Sequence, residues 1–591
     1  MKKPLIIIFI ITSLFINSFG QSPSRTSWFE EARFGMFIHW GLYSAAEGIW
    51  KGENLRYLNN YAEWIRYRNR ISKEEYGQLA KRFDWENINP EEWVVQAKKA
   101  GMKYIIMTSK HHDGVAIWDT KIGDYSLSKL SGSNRDVIKE LAEACRKHDM
   151  KLGFYYSHWI DWEHPYAWDH NIELTKNVSP DQFNTYWQEK AIPQLRELLT
   201  NYGDIAIMWF DMWIPYEQTI FKKEQLEQAV SLIRELQPNC LINSRLGLPT
   251  DAEFVDFQTL GDNVFASEYI AHPWETPGTI AHSWGYSSYE KEWKSTSQIF
   301  ESLISNVSLN GGLTLNIGPR ANGQIPHESS TRLNDIGEWL SKNGEGLYGA
   351  KGTPLRAKNF DWGYLTLKKS QNKSSLYAHI FNWPLDKKLR ISGVKSNPKS
   401  IYLVEGSDSK KLNFVQNGAI IHVDLPQDPT DNFVSVLKLE FDKSVDFDTE
   451  IVAESTYGGF ALHSKNITNT KEHQLIEYDG KRPNHTLSKG QDLIWYVDIS
   501  ESGNYTLDVS AHNPTMNNVH ITILVGEQKI EGILKPNGLM VVEPNENNYT
   551  QEFTDLHIGK IEIEKTSKMK IIFKSSTDNT VWLNRIWIKK I

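Results

Sequence analysis

The chain has 591 residues, which is too long for one hydrophobic core and predicts two or three domains. Its 65 basic and 73 acidic residues give a net charge of −8, so it lacks the basic excess that binding to nucleic acid or to an anionic membrane surface requires. The two cysteines, Cys145 and Cys240, are too few for a disulfide framework and lie in no motif typical of a nucleophile or a metal ligand.

Residues 1–20 have the layout of a cleavable secretion signal. Lys2 and Lys3 precede an apolar stretch from Leu5 to Phe15, and small and polar residues follow. This stretch is shorter than the roughly 20 residues that a membrane-spanning helix needs. We therefore predict an exported protein, periplasmic or secreted, that is cleaved near residue 20 and has no membrane span after cleavage.

From residue 25 to 350, short apolar runs alternate with longer amphipathic ones, as in β/α units around a parallel sheet. The number of units predicts a (β/α)8-like (TIM) barrel rather than an open doubly wound sheet. Strands are predicted at 35–40, 104–108, 152–156, 205–210, 241–243, 254–257 and 313–317. Helices are predicted at 91–100, 135–148, 182–200, 223–236, 295–309 and 331–343. No Gly-rich phosphate loop follows any strand, which argues against nucleotide binding.

The helical pattern ends after residue 350, and short alternating strands predict two β-sandwich domains, residues 351–445 and 446–591. The second of these resembles carbohydrate-binding modules of families 6 and 35 in its strand Gly503–Val509 and its last strand, Val581–Ile586. The resemblance implies glycan binding. The alternative is a sandwich that only shields the barrel, because a fold alone does not establish binding.

Polar and aromatic side chains follow the predicted barrel strands at the end where such barrels keep their active site. The most informative run is Ile207–Asp211, an apolar strand that ends on a carboxylate beside Trp209. The other strand ends carry His39, His111, His112, Asp113, Ser157, His158, Trp159, Asn243, Ser244, Arg245, Asp256 and Asp262. Carboxylates, imidazoles and indole rings together are the groups that cleavage of a carbohydrate requires.

Seven strings occur in order along the barrel: FGMFIHWGLYS, AEWIRYR, SKHHDGVAIWDT, MWFDMW, INSRLG, PWETPGTIAHSWGY and LTLNIGPRANGQI. Together, over residues 33–349, they resemble the α-L-fucosidases of glycoside hydrolase family 29. The resemblance implies a retaining exo-hydrolase that needs no cofactor and removes terminal α-linked L-fucose from oligo- or polysaccharides. The alternatives are an α-L-galactosidase, since fucose is 6-deoxy-L-galactose, and a glycan-binding protein whose barrel has lost catalysis.

The resemblance implies that Asp211 is the nucleophile. A retaining glycosidase also needs a protonated carboxyl group about 5 to 5.5 Å away. In the family this acid/base lies in a variable loop after the sixth strand, where many relatives carry a Pro-Glu pair that this chain lacks. The candidates, in order of preference, are Asp262, Glu275 and Glu268.

Three histidines, His39, His111 and His112, match family positions that bind the sugar hydroxyls. A neutral imidazole suits this task because it donates from one nitrogen and accepts at the other. The rival interpretation is a metal site that includes Asp113. Adjacent residues at a strand end point in divergent directions, so His111 and His112 are poorly placed to chelate one ion. We predict no metal.

The remaining family matches concern the wall of the sugar pocket. Glu63 and Trp64 match a Glu-Trp pair that contacts the sugar, and Arg245 matches an arginine near the carboxylates, whose charge would keep Asp211 ionised. Trp274 matches a pocket-lining tryptophan. Candidate wall residues for the 6-methyl group of fucose are Trp209, Trp118 and Phe37.

Overall fold

The structure is a computed structural model that describes residues 24–55, 60–168, 177–249, 253–355, 360–370, 372–406, 408–463, 466–468, 475–476, 484–487, 492–537, 553–575 and 581–591. The predicted secretion signal lies outside the described residues. Within them, no helix combines the length and the apolar character that crossing a membrane requires. Cys145 and Cys240 are both buried free thiols.

Eight parallel strands form the first sheet: β1 (Phe34–Ile38), β2 (Tyr104–Lys110), β3 (Lys151–Tyr156), β4 (Ile207–Phe210), β5 (Leu241–Ile242), β6 (Gln258–Thr259), β7 (Trp274–Thr279) and β8 (Gly312–Ile317). They pair in the order β5-β4-β3-β2-β1-β8-β7-β6. The two ends of this series meet where Asn243 forms a parallel bridge with Phe257. The Ser244 amide donates to the Phe257 carbonyl at 2.9 Å. The predicted (β/α)8-like barrel is confirmed.

The prediction was wrong at two strands. Residues 254–257 contribute only the bridge at Phe257, and the strand proper is β6. Strand β7, with the sequence WETPGT, was missed because Pro277 and Gly278 are uncommon inside strands and its polar residues break the apolar pattern. All six residues of β7 are nevertheless buried, and the side chains of Glu275, Thr276 and Thr279 all form hydrogen bonds.

The α-helices are Ser27–Ala32, Leu42–Ala46, Ile65–Arg68, Lys73–Gly77, Pro90–Lys99, Leu127–Ser131, Val137–Lys147, Pro180–Tyr186, Ile192–Asn201, Lys223–Leu236, Thr296–Ser308 and His327–Asn343. All six predicted helices are present. The one predicted at 182–200 contains a π-helical turn, Trp187–Ala191, between two α-helical parts. Side-chain caps explain where two of these helices begin. Ser179, before Pro180–Tyr186, and Ser295, before Thr296–Ser308, each accept a hydrogen bond at 3.2 Å from the backbone amide three residues later.

The chain after the barrel is built of β-sheets, as predicted. The strands up to residue 441 are Lys351–Gly352, Gly363–Ser370, Lys373–Ile380, Lys388–Ser392, Ser400–Glu405, Asp408–Lys411, Phe414–Asn417, Ile420–Asp424 and Ser435–Phe441. They form a six-stranded and a three-stranded antiparallel sheet with an apolar core. Trp339, in the helix His327–Asn343 of the barrel, donates its indole N–H to the Val434 carbonyl at 2.8 Å, so these sheets contact that helix.

The last strands are Ile451–Val452, Phe460–His463, Leu475–Ile476, Asn484–Leu487, Asp492–Ile499, Gly503–His512, Val519–Val525, Gln528–Leu534, Thr554–Ile563, Thr566–Ser575 and Val581–Lys590. They form two further sheets around a separate apolar core. The Asp361 carboxylate accepts hydrogen bonds from Ser455 and Thr456, which ties this unit to the preceding sheets.

Gly337 lies inside helix His327–Asn343, a position at which alanine normally stabilises a helix by about 1 kcal/mol relative to glycine. Here an added methyl group would lie 2.0 Å from the Lys99 carbonyl oxygen of a neighbouring helix. We expect Gly337→Ala to lower the free energy of unfolding by about 1 to 3 kcal/mol in urea denaturation. Ser341→Ala, on the exposed side of the same helix, is the control and should change it by less than about 0.5 kcal/mol. Equal or greater stability of Gly337→Ala would contradict this account of the packing.

Candidate active site

A cleft of about 360 Å³ opens at the carboxyl ends of the barrel strands. Its lining residues are Phe37, His39, Asn60, Tyr61, Glu63, Trp64, Arg68, His111, His112, Tyr155, Trp209, Asp211, Trp213, Arg245, Gly261, Asp262 and Trp284. Ten of the candidates named from the sequence lie among them: Phe37, His39, Glu63, Trp64, His111, His112, Trp209, Asp211, Arg245 and Asp262. The cleft is therefore assembled from strand ends that are distant in the chain.

Asp211, directly after β4, is held by three side chains. Tyr155 donates its hydroxyl to Oδ2 at 2.9 Å, Arg245 donates Nη1–H to Oδ1 at 2.9 Å, and His112 Nε2 lies 3.5 Å from Oδ2. Burial alone would raise the pKa of Asp211, but hydrogen bonding to His112 and the charge of Arg245 outweigh it and hold the pKa well below its ordinary value. Asp211 is therefore an ionised carboxylate in a fixed orientation.

Arg245 joins Asp211 to a second carboxylate. Its Nη2 donates to Asp262 Oδ1 at 2.6 Å and to the Leu260 carbonyl at 2.7 Å, while its guanidinium carbon lies 5.2 Å from the Trp209 ring. Asp262 thus lies one guanidinium away from Asp211. Of the three candidate acids, it is the one that lines the cleft.

The environment of Asp262 differs from that of Asp211. Its side chain is 46% exposed and faces the mouth of the cleft. Desolvation in the cleft and the negative charge of Asp211 raise the pKa of Asp262, and Arg245 only partly offsets them. Two carboxylates on one guanidinium therefore have pKa values shifted in opposite directions, which is the electrostatic arrangement of an acid beside a nucleophile.

Glu275 lies inside the barrel, beneath the cleft, and is fully buried. Trp209 donates its indole N–H to Glu275 Oε1 at 2.7 Å, Thr259 donates to the same oxygen at 3.2 Å, and Thr314 donates to Oε2. Burial raises the pKa of Glu275. The sequence analysis ranked it second among the candidate acids, but its position near the start of β7 sets it at the closed end of the barrel. It supports Trp209 from below.

Three other candidates also lie outside the cleft. Trp274 points away from it and donates its indole N–H to the Leu309 carbonyl at 3.2 Å. Trp118 donates to Glu197 at 2.9 Å on the outside of the barrel. Glu268 is exposed in the loop between β6 and β7 and does not line the cleft. These positions correct the predictions made for Trp274 and Trp118.

The three histidines line one side of the cleft. His39 Nδ1 is 2.7 Å from Asn316 Oδ1, and His111 stacks on Tyr155 with ring centroids 5.4 Å apart. Burial lowers the pKa of His39 to about 4 and that of His111 well below its ordinary value, so both rings are neutral near pH 7. His112 Nδ1 is 2.7 Å from Ser157 Oγ, which fixes the ring with Nε2 towards Asp211.

Glu63 and Trp64 come from the segment after β1 and close another side of the cleft. The Gly285 amide donates to Glu63 Oε2 at 2.9 Å, and Ser283 Oγ donates to it at 3.3 Å. Burial raises the pKa of Glu63 to about 7. The Trp64 ring lies 5.5 Å from that of His112. Both residues therefore face the same space as Asp211.

The floor of the cleft is aromatic. Trp209 packs on Phe37 at 5.0 Å and stacks on Tyr155 at 5.5 Å, and Trp284 lies 5.0 Å from the His39 ring. The sequence analysis missed Tyr155 and Trp284. Strand alternation could have found Tyr155, since it is buried inside the barrel beside Trp209, its register partner on β4. Trp284 belongs to the string PWETPGTIAHSWGY, in which Trp274 and Glu275 were predicted as site residues instead.

No group of three or more metal-binding side chains occurs in the described part of the chain. Asp113, the third member of the rival metal site, accepts hydrogen bonds from the Tyr76 hydroxyl at 2.9 Å and the Val115 amide at 3.1 Å. Its carboxylate thus stabilises the turn that follows His112.

A family model for α-L-fucosidases matches residues 17–345, more than half of the sequence. The chain belongs to the α-L-fucosidase family. It is 27% identical over 438 residues to α-L-fucosidase of Dictyostelium discoideum, with 69% of this chain and 91% of the relative covered. It is 28% identical over 421 residues to tissue α-L-fucosidase of Bos taurus, with 69% and 86% covered.

Solved fucosidase structures share the fold. The α-L-fucosidase from Vibrio sp. strain EJY3 matches with a TM-score of 0.75 at 25% identity, covering 96% of this chain and 98% of that one. Isoenzyme 1 from Paenibacillus thiaminolyticus matches at 34% identity and a TM-score of 0.61, covering 70% and 98%. A family 29 enzyme from Bacteroides thetaiotaomicron, trapped as a covalent intermediate with 2-fluoro-fucosyl fluoride, matches at 25% identity with a TM-score of 0.63. The match covers 72% of this chain and 96% of that one. The family predicted from the seven strings is confirmed.

Glu275→Gln tests the supporting position of Glu275. The amide would place an N–H group against side chains that already donate, so one buried donor loses its acceptor. We expect the free energy of unfolding to fall by about 1 to 3 kcal/mol in chemical denaturation. Glu268→Gln, at the exposed rival position, is the matched control and should leave stability unchanged. Full stability of Glu275→Gln together with loss of hydrolysis would return Glu275 to the acid role.

Proposed function

We propose that the protein is a retaining exo-α-L-fucosidase in which Asp211 is the nucleophile and Asp262 the acid/base. One observation carries the assignment: Arg245 holds an ionised carboxylate and a carboxyl group of raised pKa in one cleft. Membership of the α-L-fucosidase family supports the substrate, terminal α-linked fucose on oligo- or polysaccharides.

In the first step, Asp262 gives its proton to the glycosidic oxygen while an Asp211 oxygen attacks the anomeric carbon from the opposite face. The bond between that carbon and the glycosidic oxygen breaks, and the leaving sugar departs as an alcohol. Fucose is then an ester of Asp211. Tyr155 and Arg245 orient the attacking carboxylate, and Arg245 remains paired with the carboxylate that Asp262 becomes.

In the second step, the Asp262 carboxylate takes a proton from water, and the oxygen of that water attacks the anomeric carbon and displaces Asp211. Esterification removes the negative charge of Asp211, which had raised the pKa of Asp262. The pKa of Asp262 therefore falls in the intermediate, when it must act as a base. Two inversions give net retention, and no cofactor is required.

The sugar itself would be held by the deep cleft. Neutral His39 donates its Nδ1–H to Asn316 Oδ1 and so offers Nε2 as an acceptor for a sugar hydroxyl group, neutral His111 adds a second imidazole, and Glu63 adds a carboxyl group. Phe37 and Trp284 offer apolar surface for the 6-methyl group. An α-L-galactosidase stays the alternative, because an apolar pocket rejects one extra hydroxyl poorly. The ratio of kcat/KM for aryl α-L-fucoside and aryl α-L-galactoside decides between them.

Two further proposals rest on the sequence. The layout of residues 1–20 supports export, and recovery of uncleaved protein in the cytoplasm would contradict it. The resemblance to carbohydrate-binding modules supports glycan binding by residues 446–591. Unchanged affinity of the full chain for immobilised glycan after substitution of the exposed side chains of these strands would contradict it.

Azide, added as an external nucleophile, distinguishes the nucleophile from the acid/base by the anomer of fucosyl azide that each variant forms. Asp262→Ala should lower kcat/KM for a fucosyl disaccharide by about 10² to 10⁴-fold, with a smaller loss for α-L-fucosyl fluoride, whose leaving group needs less protonation. Azide should restore turnover and give α-fucosyl azide from the covalent intermediate. Asp211→Gly should lose at least about 10⁴-fold, and azide should give β-fucosyl azide by direct displacement.

The control is Glu268→Gln, with wild-type rates on both substrates expected. If Asp262→Ala keeps wild-type activity on the disaccharide, the acid role assigned to it is wrong. Absence of any fucoside hydrolysis by the folded wild-type protein, with glycan binding intact, would favour the non-catalytic alternative.

The pH profile tests the bridge formed by Arg245. Its positive charge favours the ionised form of both carboxylates and so lowers both pKa values. In Arg245→Gln both values rise, so both limbs of the profile of kcat/KM against pH should move to higher pH. The measurement uses an aryl fucoside, and Arg82→Gln, an exposed arginine outside the cleft, should leave the limbs in place. A shift to lower pH would contradict the assignment.

A further inference from the structure

The cleft has an outer rim that the mechanism does not use. Tyr61, Arg68 and Trp213 line the cleft but lie at its mouth, where all three side chains are exposed to solvent. Asp262 faces the same mouth, 46% exposed. Because the acid must reach the glycosidic oxygen, the group bonded to that oxygen has to occupy the space between Asp262 and this rim. The rim is therefore where the leaving group lies.

Trp213 is a partly exposed aromatic side chain at the rim. It follows the nucleophile Asp211 by two positions and remains 41% exposed. Its ring lies 4.8 Å from that of Trp159 in an edge contact, 5.7 Å from that of His112 and 6.4 Å from that of Trp64. These ring contacts position the indole, and part of its surface is exposed to solvent at the mouth. A rigid apolar face of this kind suits the C–H face of a pyranose ring.

Arg68 places a positive charge beside this surface. Its guanidinium carbon lies 5.6 Å from the Trp64 ring and 5.5 Å from the Tyr67 ring, so two aromatic rings hold it at the mouth. No carboxylate in the described ranges forms an ion pair with it. Arg245, in contrast, is paired with the side chains of Asp211 and Asp262. Among the described residues, the guanidinium on the side of Trp64 therefore has no carboxylate partner.

We propose that Trp213 and Arg68 form a leaving-group subsite that prefers a sugar carrying an anionic substituent, a sulfate or a carboxylate. The leaving sugar stacks on Trp213, and its anionic group binds the guanidinium of Arg68, a fork of donors that matches both oxyanions. A neutral leaving sugar would stack on Trp213 but would have no charged group to bind Arg68. The inference rests on the proposed function, because the subsite is defined by the bond that Asp262 protonates.

The test compares four substrates with the wild-type enzyme. They are α-L-fucosyl fluoride, which has no leaving sugar, a neutral fucosyl disaccharide, the same disaccharide with one sulfate ester, and the same disaccharide with one carboxylate. We expect kcat/KM for at least one anionic disaccharide to exceed that for the neutral one by about tenfold or more, as a charge-assisted hydrogen bond gives. The preference should decrease as ionic strength rises. The sulfate and carboxylate arms identify the anion.

Three variants assign the effect to residues. Arg68→Gln should remove the anionic preference and Arg68→Lys should restore part of it, while Arg82→Gln, the matched control, should keep it. Trp213→Ala should lower kcat/KM for all disaccharides by about 2- to 10-fold relative to that for the fluoride, as the loss of one stacking contact predicts. The readout is a ratio between substrates, so a general loss of folding does not imitate it.

The outcomes separate this inference from the proposed function. Failure of the folded wild-type enzyme to hydrolyse fucosyl fluoride overturns the proposed function itself. Hydrolysis of all substrates without an anionic preference overturns the subsite. An equal loss on all four substrates in Arg68→Gln also overturns it, because Arg68 then acts only as a support for Trp64.

Discussion

The bridge that Arg245 forms between Asp211 and Asp262 is the interaction on which the site depends. One guanidinium donates a hydrogen bond to each of the two side-chain carboxyl groups, at 2.9 and 2.6 Å, and so fixes both acids in one cleft. Without it, no positive charge would lie between the ionised Asp211 and Asp262. Its third contact, with the Leu260 carbonyl, anchors the segment that carries Asp262. The position of the acid is thus set by the residue that orients the nucleophile.

The barrel makes this bridge rigid from below. Arg245 lies over the Trp209 ring, Trp209 is hydrogen-bonded to buried Glu275, and Glu275 is held by threonines of β6 and β8. A carboxylate at the closed end of the barrel therefore supports the aromatic floor on which the charged groups rest. Buried polar groups of this kind are costly unless each is satisfied, which favours a single arrangement.

The sequence predicted the part of the fold and site that local patterns encode. Asp211 and His39 follow apolar runs directly, and Arg245 follows one after two polar residues, so their placement near strand ends needed no tertiary information. Strand β7 could not be recognised, because Glu275, Pro277 and Gly278 acquire their burial only from neighbouring strands. The error at Glu275 has the same origin: its position at the closed end depends on the register of β7 with β8, which the chain pattern does not encode.

Neutral histidines complete the electrostatics of the cleft. Asp262 keeps a raised pKa only while the positive charge near it stays limited, since Arg245 already pulls that pKa down. If His39 and His111 were charged, their attraction for the ionised form of Asp262 would lower its pKa and release the proton that the leaving group needs. Burial keeps both rings neutral, so they can bind hydroxyl groups without this cost. The burial of the histidines thus helps to keep the pKa of Asp262, at the mouth of the cleft, raised.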